Sequence, residues 1–190
     1  MGKQEASDER HKIHGRWRRS PVKPRPNEGE VFLVPLGDGR SVAGQVLAKF
    51  RRVNYFLATF DVVLEGDAVF PSLQQLTTAP VSLLCLSLDA KLRNGDWPVI
   101  GRSPVSVIDS LPAFKVAVNE PWNFQIEDYS GTRTRPASPE DERLYPFRTV
   151  VAPIRLERAA QALEGLREWD REWDELLPDP ETSWIRAFGE

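Results

Sequence analysis

The sequence predicts an α+β fold: a strongly bent antiparallel β-sheet or partial barrel, with a long C-terminal helix packed on it. Two patterns support this prediction. Short runs of β-branched and aromatic residues, separated by turn signals, recur between residues 28 and 151. Apolar residues then recur at every third or fourth position from Ile154 to Leu177, and Pro178 ends the pattern. Strands followed by one helix indicate a sheet with the helix on one face.

Length and composition indicate one domain. The chain has 190 residues, of which 41% are hydrophobic and 28% are charged, as is usual for a globular protein with its own core. It has no apolar run of membrane-spanning length and no signal-peptide pattern, so we expect a cytoplasmic protein without membrane contact. We divide it into a basic, proline-rich, disordered leader (1–26), a β-rich core (27–152), and an amphipathic helix with an acidic tail (153–190) in the same domain.

The core begins with a β-hairpin. The first strand, "VFLVPL" (31–36), contains Pro35, which indicates that the strand lies at a sheet edge or ends there. The turn follows at Gly37-Asp38-Gly39, because glycine accepts positive φ and aspartate tolerates left-handed backbone.

The second strand, "SVAGQVLAKF" (41–50), follows the turn. At a period of two, Val42, Val46 and Phe50 are expected on one face of the sheet. Gly44 lies between them and indicates a β-bulge or a close backbone approach.

The rest of the core is predicted as strands, one short helix and a loop. Asp67 could cap a short helix that Pro80 closes, and "VSLLCLSL" (81–88) is a strand buried on both faces or a short buried helix. Asn94-Gly95 indicates a turn, and residues 130–141 indicate a polar, mobile loop. Further strands are predicted at 53–64, 97–101, 114–119, 122–128 and 145–151.

The C-terminal helix is predicted over residues 154–177. Gly165 lies in its interior at a cost of about 1 kcal/mol, which suggests a kink or close packing there. Trp169 and Trp173 are one turn apart. They are expected to pack against the body of the fold, with docking of a partner as the alternative.

Few reactive side chains lie in the core. Cys85 lies within an apolar run, which favours a small buried hydrophobe over a reactive thiol. His11 and His14 both lie in the leader. This distribution disfavours zinc sites, Ser-His-Asp triads and Cys-His dyads, and we expect no cofactor and no metal. A carboxylate-based hydrolase is the remaining enzyme class, but the acidic residues show no diagnostic spacing and are expected as caps and turns: Asp61, Glu65, Asp67, Asp89, Asp96 and Asp109.

Charge is unevenly distributed along the chain. Residues 1–26 contain eight Lys/Arg and three Asp/Glu, whereas residues 138–190 contain seven Lys/Arg and thirteen Asp/Glu. The basic leader could contact nucleic acid, with Trp17 as a stacking group, or be a solvated segment without a partner. The acidic region could complement a basic partner surface and speed association, or be a solvated helix face.

Two segments resemble a known family. "EGEVFLVPLGDGRSVAGQVL" (28–47) combines a glycine and an acid, an apolar strand ending in proline, a DG turn and a glycine-containing strand. "GDWPVIGRSPV" (95–105) has a tryptophan followed by "VIG" and a proline. In this order they resemble immunity protein family 26, a family of bacterial immunity proteins associated with polymorphic toxin systems. The resemblance covers about residues 28–120.

The resemblance implies a non-catalytic protein that binds a cognate toxin domain stoichiometrically and blocks it. Aromatic and arginine side chains are the usual anchors of such interfaces. Candidate partner-binding residues are therefore Trp97, Arg102, Arg40 and Trp122, although both tryptophans would also suit core or rim packing. The alternative function is a small β-barrel module that binds nucleic acid through its basic N-terminal arm; the acidic overall balance argues against it.

Overall fold

The structure, a computed structural model, describes residues 23–66, 71–119 and 123–189. Five strands form an antiparallel sheet in the order β4-β3-β2-β1-β5. They are β1 (Glu30–Pro35), β2 (Arg40–Phe50), β3 (Asn54–Glu65), β4 (Val81–Leu88) and β5 (Val99–Arg102). Three short strands form a second antiparallel sheet: β6 (Phe114–Val118), β7 (Asn123–Glu127) and β8 (Thr134–Pro136). The predicted antiparallel sheet is confirmed, but within the described ranges neither sheet closes into a barrel.

The described residues also form five short α-helices. They are α1 (Leu73–Thr77), α2 (Ala90–Asn94), α3 (Asp141–Leu144), α4 (Pro153–Leu163) and α5 (Trp184–Phe188). In the part of the chain that the structure describes, no helix combines the length and apolar character needed to cross a membrane.

The strand at 81–88 is confirmed as β4, and it lies at one edge of the five-stranded sheet. Its side chains alternate between two apolar clusters, with Leu83 and Cys85 on one face and Leu84 and Leu86 on the other. The first face is covered by α4 and by the 3₁₀ helix Arg171–Leu176. The second face is covered by Leu111 and Phe114, which precede and begin the small sheet.

Strand β2 changes faces part-way along its length. The pairing of β2 with β3 shifts between Val42 and Gly44 and again between Val46 and Ala48. Val42 and Val46 therefore pack on the α4 side, whereas Phe50 packs in the opposite cluster. The expectation that all three share a face is wrong, because the shift after Val46 sets two residues of β2 against one of β3 and reverses the alternation before Phe50.

The predicted helix over residues 154–177 is wrong. Helix α4 ends at Leu163, and Gly165 adopts a φ of +73°. Gly165 N–H donates to the Ala162 carbonyl (3.0 Å), and Leu166 N–H donates to the Gln161 carbonyl (2.9 Å). This pair of bonds is a Schellman motif, so Gly165 ends the helix instead of interrupting it.

Beyond α4 the chain is irregular. The six-residue 3₁₀ helix Arg171–Leu176 is capped by Asp170, whose side chain accepts from Glu172 N–H. Trp173 is buried in the core, and Trp169 packs against it edge-on at 5.6 Å between ring centroids. The expected packing of the two tryptophans on the body of the fold is therefore confirmed.

The region between the second sheet and α4 also differs from expectation. Residues 130–141 contain β8 and the start of α3. Residues 145–151 form no strand and make only isolated bridges, Phe147 with Lys115 and Val151 with Ser87. Local β-propensity is weak evidence for such a segment, because its pairing depends on what lies beside it.

Two smaller predictions concern local caps and turns. Helix α1 is capped by Ser72 in a capping box with Gln75, while Asp67 lies outside the described residues. The turn at Gly95 is confirmed, with a φ of +83°, but it ends helix α2, which the sequence pattern did not indicate.

Arg148 joins the two sheets. Its guanidinium carbon lies 4.2 Å from the ring centroid of Phe50 and 4.6 Å from that of Phe114. It also donates to Glu127 Oε2 and to the Asp128 carbonyl, both at 2.7 Å. Burial lowers the pKa of Arg148, and the bond to Glu127 opposes that shift. A cation between two aromatic rings and a carboxylate holds the small sheet against the large one.

The domain boundaries at residues 26 and 152 stay predictions. The first 22 residues of the predicted leader, including His11, His14 and Trp17, lie outside the described residues. Its last residues contact the core: Lys23 N–H donates to the Arg93 carbonyl (3.2 Å) and Arg25 to the Arg52 carbonyl (2.8 Å).

Candidate partner-binding surface

The two signature segments meet inside the protein. The Phe32 ring of β1 stacks on Trp97, with centroids 5.4 Å apart and planes 4° from parallel. A Cβ at Gly44 would lie 2.6 Å from the Phe32 ring, so β2 needs glycine at this point. Both alternatives for Gly44, the bulge and the close approach, are confirmed. The signature therefore builds the hydrophobic core.

Trp97 is part of that core. It is 0% exposed, and its indole N–H donates to Glu157 Oε2 of α4 at 3.0 Å. Lys91 also contacts this carboxylate, at 3.2 Å. In this structure Trp97 therefore has no surface to present to a partner, and it joins α4 to the sheet.

Arg102 lies at the exposed end of β5. Its Nε donates to the Glu28 carbonyl at 3.0 Å and holds the chain entering β1. Beneath it, the buried side-chain amide of Gln45 donates to the Ser103 carbonyl at 2.9 Å. Gly29 adopts a φ of +84°, and a Cβ there would lie 2.7 Å from the Ser103 carbonyl oxygen. The Arg102 side chain is thus exposed, and the backbone beneath it is held by these contacts.

Arg40 follows the hairpin turn. Its Nε contacts Asp38 Oδ2 at 2.7 Å, and its guanidinium reaches Glu164 at the end of α4 at 3.4 Å. The backbone N–H of Arg40, together with its side chain, lowers the pKa of Asp38. Arg40 is half-buried and connects the hairpin to the helix, so it has both a structural role and an exposed edge.

The four predicted partner-binding residues do not form one patch. Arg102 pairs with the first residue of β1, and Arg40 follows the turn at its other end. Arg102 lies opposite Glu30 and Arg40 opposite Leu36, so at about 3.3 Å per residue the two arginines lie roughly 20 Å apart along the strand. Trp97 is buried between them and α4, and Trp122 lies outside the described residues.

The described residues show little catalytic chemistry. Among them, no group of three or more His, Cys, Asp or Glu side chains is placed to hold a metal ion. Burial raises the pKa of Cys85 to about 12, so the thiol is protonated at neutral pH and is not a nucleophile. The interpretation of Cys85 as a buried hydrophobe is confirmed.

A second surface lies at the open edge of β4, and we call it the edge pocket. It has a volume of about 270 Å³, and its floor is formed by Leu84, Cys85 and Leu86. At one end, Val151 N–H donates to the Leu86 carbonyl and Ser87 Oγ donates to the Val151 carbonyl, both at 2.8 Å. On the other side, the chain after residue 176 passes around the edge of β4 and bonds to the second face through Ala113 N–H and the Thr182 carbonyl (2.8 Å).

The mouth of the edge pocket is apolar. Phe147 is 54% exposed and Leu177 is 44% exposed, and both line the pocket. Phe147 is oriented by an edge-on contact with Phe124 and by the ammonium of Lys115, 4.7 Å from its ring centroid. Two large apolar side chains are thus exposed beside an open cavity, and Phe147 is held in position by its neighbours.

The rim of the edge pocket is acidic. Asp174, Glu175 and Asp179 line it, and they belong to residues 168–181, which we call the acidic segment. This segment has seven exposed carboxylates and one exposed arginine, Arg171. Arg155 neutralises part of this charge, because its guanidinium contacts Glu175 at 2.8 Å.

The sequence patterns indicated only part of this pocket. The excess of acidic residues after residue 138 was a usable signal, but Phe147 was assigned to a strand and Leu177 to the core-facing side of a helix. Their exposure depends on how the irregular segments fold over the edge of β4, which local periodicity does not report.

The comparisons with known proteins agree with the resemblance of the two signature segments. The family model of Immunity protein 26 matches residues 27–124, which is just over half of the chain. No curated protein and no solved structure matches the chain significantly. The matched region contains the five-stranded sheet and the Phe32–Gly44–Trp97 contact. The side of the edge pocket that contains Phe147, Asp174 and Leu177 lies after residue 124, where the match ends. The chain therefore belongs to the Immunity protein 26 family.

Proposed function

We propose that this chain is an immunity protein that binds a cognate bacterial toxin domain in the cytoplasm and neutralises it by covering its surface. The observation on which the proposal depends is membership of the Immunity protein 26 family. The protein acts without turnover, so one molecule neutralises one toxin domain. Because Phe32, Gly44 and Trp97 of the shared signature are internal, the proposal assigns toxin recognition to exposed residues instead.

Two surfaces of the chain support a binding role. One is the surface around Arg102, whose guanidinium is exposed and donates a hydrogen bond to the Glu28 carbonyl. The other is the edge pocket, with exposed Phe147 and Leu177 beside the acidic segment. Arginine and aromatic side chains in a charged surround are typical of tight interfaces of ordinary size.

Co-expression with the product of the neighbouring gene tests the proposal. The toxic C-terminal domain of that product should arrest growth when expressed alone, and co-expression of this chain should restore growth. A tag on either protein should recover both in equal amounts. A neighbour without a toxic domain, or rescue without a complex, would contradict the proposal.

A control in the same assay addresses nucleic-acid binding. Replacing Arg16, Arg18 and Arg19 by glutamine reduces the charge of the basic arm without touching the described core. Growth rescue should be unchanged, because recognition lies on the folded surface. Loss of rescue would favour the nucleic-acid function of the arm.

A further inference from the structure

We propose that the edge pocket is the toxin-binding site, and that it receives one apolar side chain of the toxin with a lysine or arginine beside it. This proposal rests on the function proposed above and specifies the surface and the chemistry of the partner. It assigns the apolar contact to Phe147 and Leu177 and the contact with the cation to Asp174 and Asp179.

The size and lining of the pocket favour a protein side chain. Its volume of about 270 Å³ lies at the lower limit of the roughly 300–1,000 Å³ of small-molecule sites and is enough for one large side chain. Its floor is apolar, and Cys85 on that floor is protonated at neutral pH because burial raises its pKa to about 12. An inserted aliphatic or aromatic side chain would be desolvated against β4 and covered by Phe147 and Leu177, as at the centre of a tight interface.

The charge of the rim defines the rest of the partner. Within the acidic segment, seven carboxylates are exposed against one arginine. Arg155 and Arg186, which lie outside the segment, pair with three of the seven: Glu172, Glu175 and Glu181. The segment therefore keeps an excess of negative charge. Association brings these charges to a partner surface, and complementary charge increases the rate of encounter and excludes acidic partners. The toxin surface that fits is therefore basic around an apolar centre.

The rim carboxylates are held in position before binding. Asp174 Oδ1 accepts from the indole N–H of Trp169 at 2.8 Å, and Asp179 Oδ1 accepts from Glu181 N–H at 3.0 Å. Each carboxylate keeps a second oxygen for an incoming cation. Because both are already ordered, binding loses less side-chain entropy than it would with free side chains.

Four variants of the chain test the pocket against the toxin domain encoded by the neighbouring gene. Phe147→Ala and Leu177→Ser remove the apolar mouth, and each should weaken the Kd by about 10-fold or more. Thr149 is exposed and lines the pocket, so Thr149→Trp should fill the mouth with a large side chain. This variant should abolish binding although it removes no apolar side chain and no charge. The Asp174→Asn, Asp179→Asn double variant keeps both hydrogen-bond acceptors but removes two charges. It should slow association about 10-fold at low salt and flatten the salt dependence of the Kd.

Matched controls separate the pocket from the general surface. Val53→Ser removes an apolar side chain that is 38% exposed in the turn between β2 and β3. The Asp61→Asn, Glu65→Gln variant removes two exposed charges of β3 that neither line the pocket nor belong to the acidic segment. Both controls should bind like the wild type, and every variant should keep the wild-type Tm.

The possible outcomes are distinct. If the wild-type chain does not bind the toxin domain, the proposed function fails and the pocket proposal fails with it. If the wild type binds but the pocket variants bind equally well, the function stands and the pocket proposal is overturned. A change in self-association of the unbound chain caused by Phe147→Ala would identify a second copy as the occupant, and would also overturn the proposal. If the wild type binds and Trp17→Ala tightens that binding at least 10-fold, the leader is the occupant of the pocket in the unbound chain, and this also overturns the proposal.

Discussion

Phe32, Gly44 and Trp97 form the contact that explains the family signature at the scale of single residues. The Phe32 ring lies flat on Trp97 on one side and over the Cα of Gly44 on the other. All three residues are buried, and Trp97 also donates to Glu157 of α4. The glycine in β2 and the tryptophan before β5 therefore both serve to pack the Phe32 ring in the core.

Gly44→Ala should destabilise the protein by about 2 kcal/mol, because the added Cβ would lie 2.6 Å from the Phe32 ring and 2.8 Å from the Ala58 carbonyl oxygen. Urea denaturation followed by tryptophan fluorescence measures the change. Gly66→Ala is the matched control, since its Cβ would meet only the Gly39 carbonyl oxygen, at 3.4 Å. Equal stability of the two variants would show that Gly44 is not required by packing.

Sequence reasoning reached part of this residue-level arrangement. A glycine within an apolar strand is a usable sign of a bulge or a close approach, and both are present at Gly44. The face of the sheet on which Phe50 lies could not be predicted, because a bulge after Val46 reverses the alternation of side chains along β2. A residue that pairs irregularly looks the same in sequence as one that pairs regularly.

At the scale of elements, Gly165 determines the shape of the C-terminal region. Its left-handed conformation closes the Schellman motif at the end of α4. The apolar spacing continues to Leu177, because Trp173 and Leu176 still face the core from a 3₁₀ helix. Helical periodicity therefore extended past the true end of the helix.

Gly165→Ala should destabilise the protein by about 1 kcal/mol, since alanine at a φ of +73° is strained. The sign of the change is decisive. A continuous helix through residue 165 would instead gain about 1 kcal/mol from the same substitution. Thermal unfolding with far-UV circular dichroism distinguishes the two outcomes, and an increase in helical signal with a higher Tm would contradict the structure.

Elements with strong local patterns could be predicted, and those defined by tertiary contacts could not. The strands of the large sheet and the first two strands of the small sheet followed from β-branched and aromatic runs. Residues 145–151 also contain β-branched and aromatic residues but form no strand. Val151 N–H donates to the Leu86 carbonyl of β4, and the segment makes only isolated bridges. Short helices such as α2 and α3 have too few turns to show a period.

At the scale of the whole molecule, the fold has two parts: the region that the family model matches and the chain that is added around it. The family match covers the large sheet, with α4 and the chain beyond residue 124 added around it. Arg148 fixes the small sheet on one face, and Trp97 fixes α4 on the other. The edge pocket lies where these two additions meet around β4.

The candidate site was less accessible to sequence analysis than the fold. The acidic C-terminal region was visible in the composition. Arg102 is exposed and Arg40 is half-buried, while their role in binding stays a prediction. The pocket itself requires residues from β4, from the segment after α3 and from the chain after α4. Their meeting is a property of the tertiary structure, because none of these segments indicates the others in sequence.

Titration of the toxin's activity with purified chain is the most direct test of the claim that this protein acts by covering its partner. With the toxin domain far above its Kd, activity should fall linearly and reach zero at one chain per toxin, and it should return when the complex is dissociated. Loss of activity at a small fraction of one equivalent, increasing with incubation time, would show turnover and contradict the account.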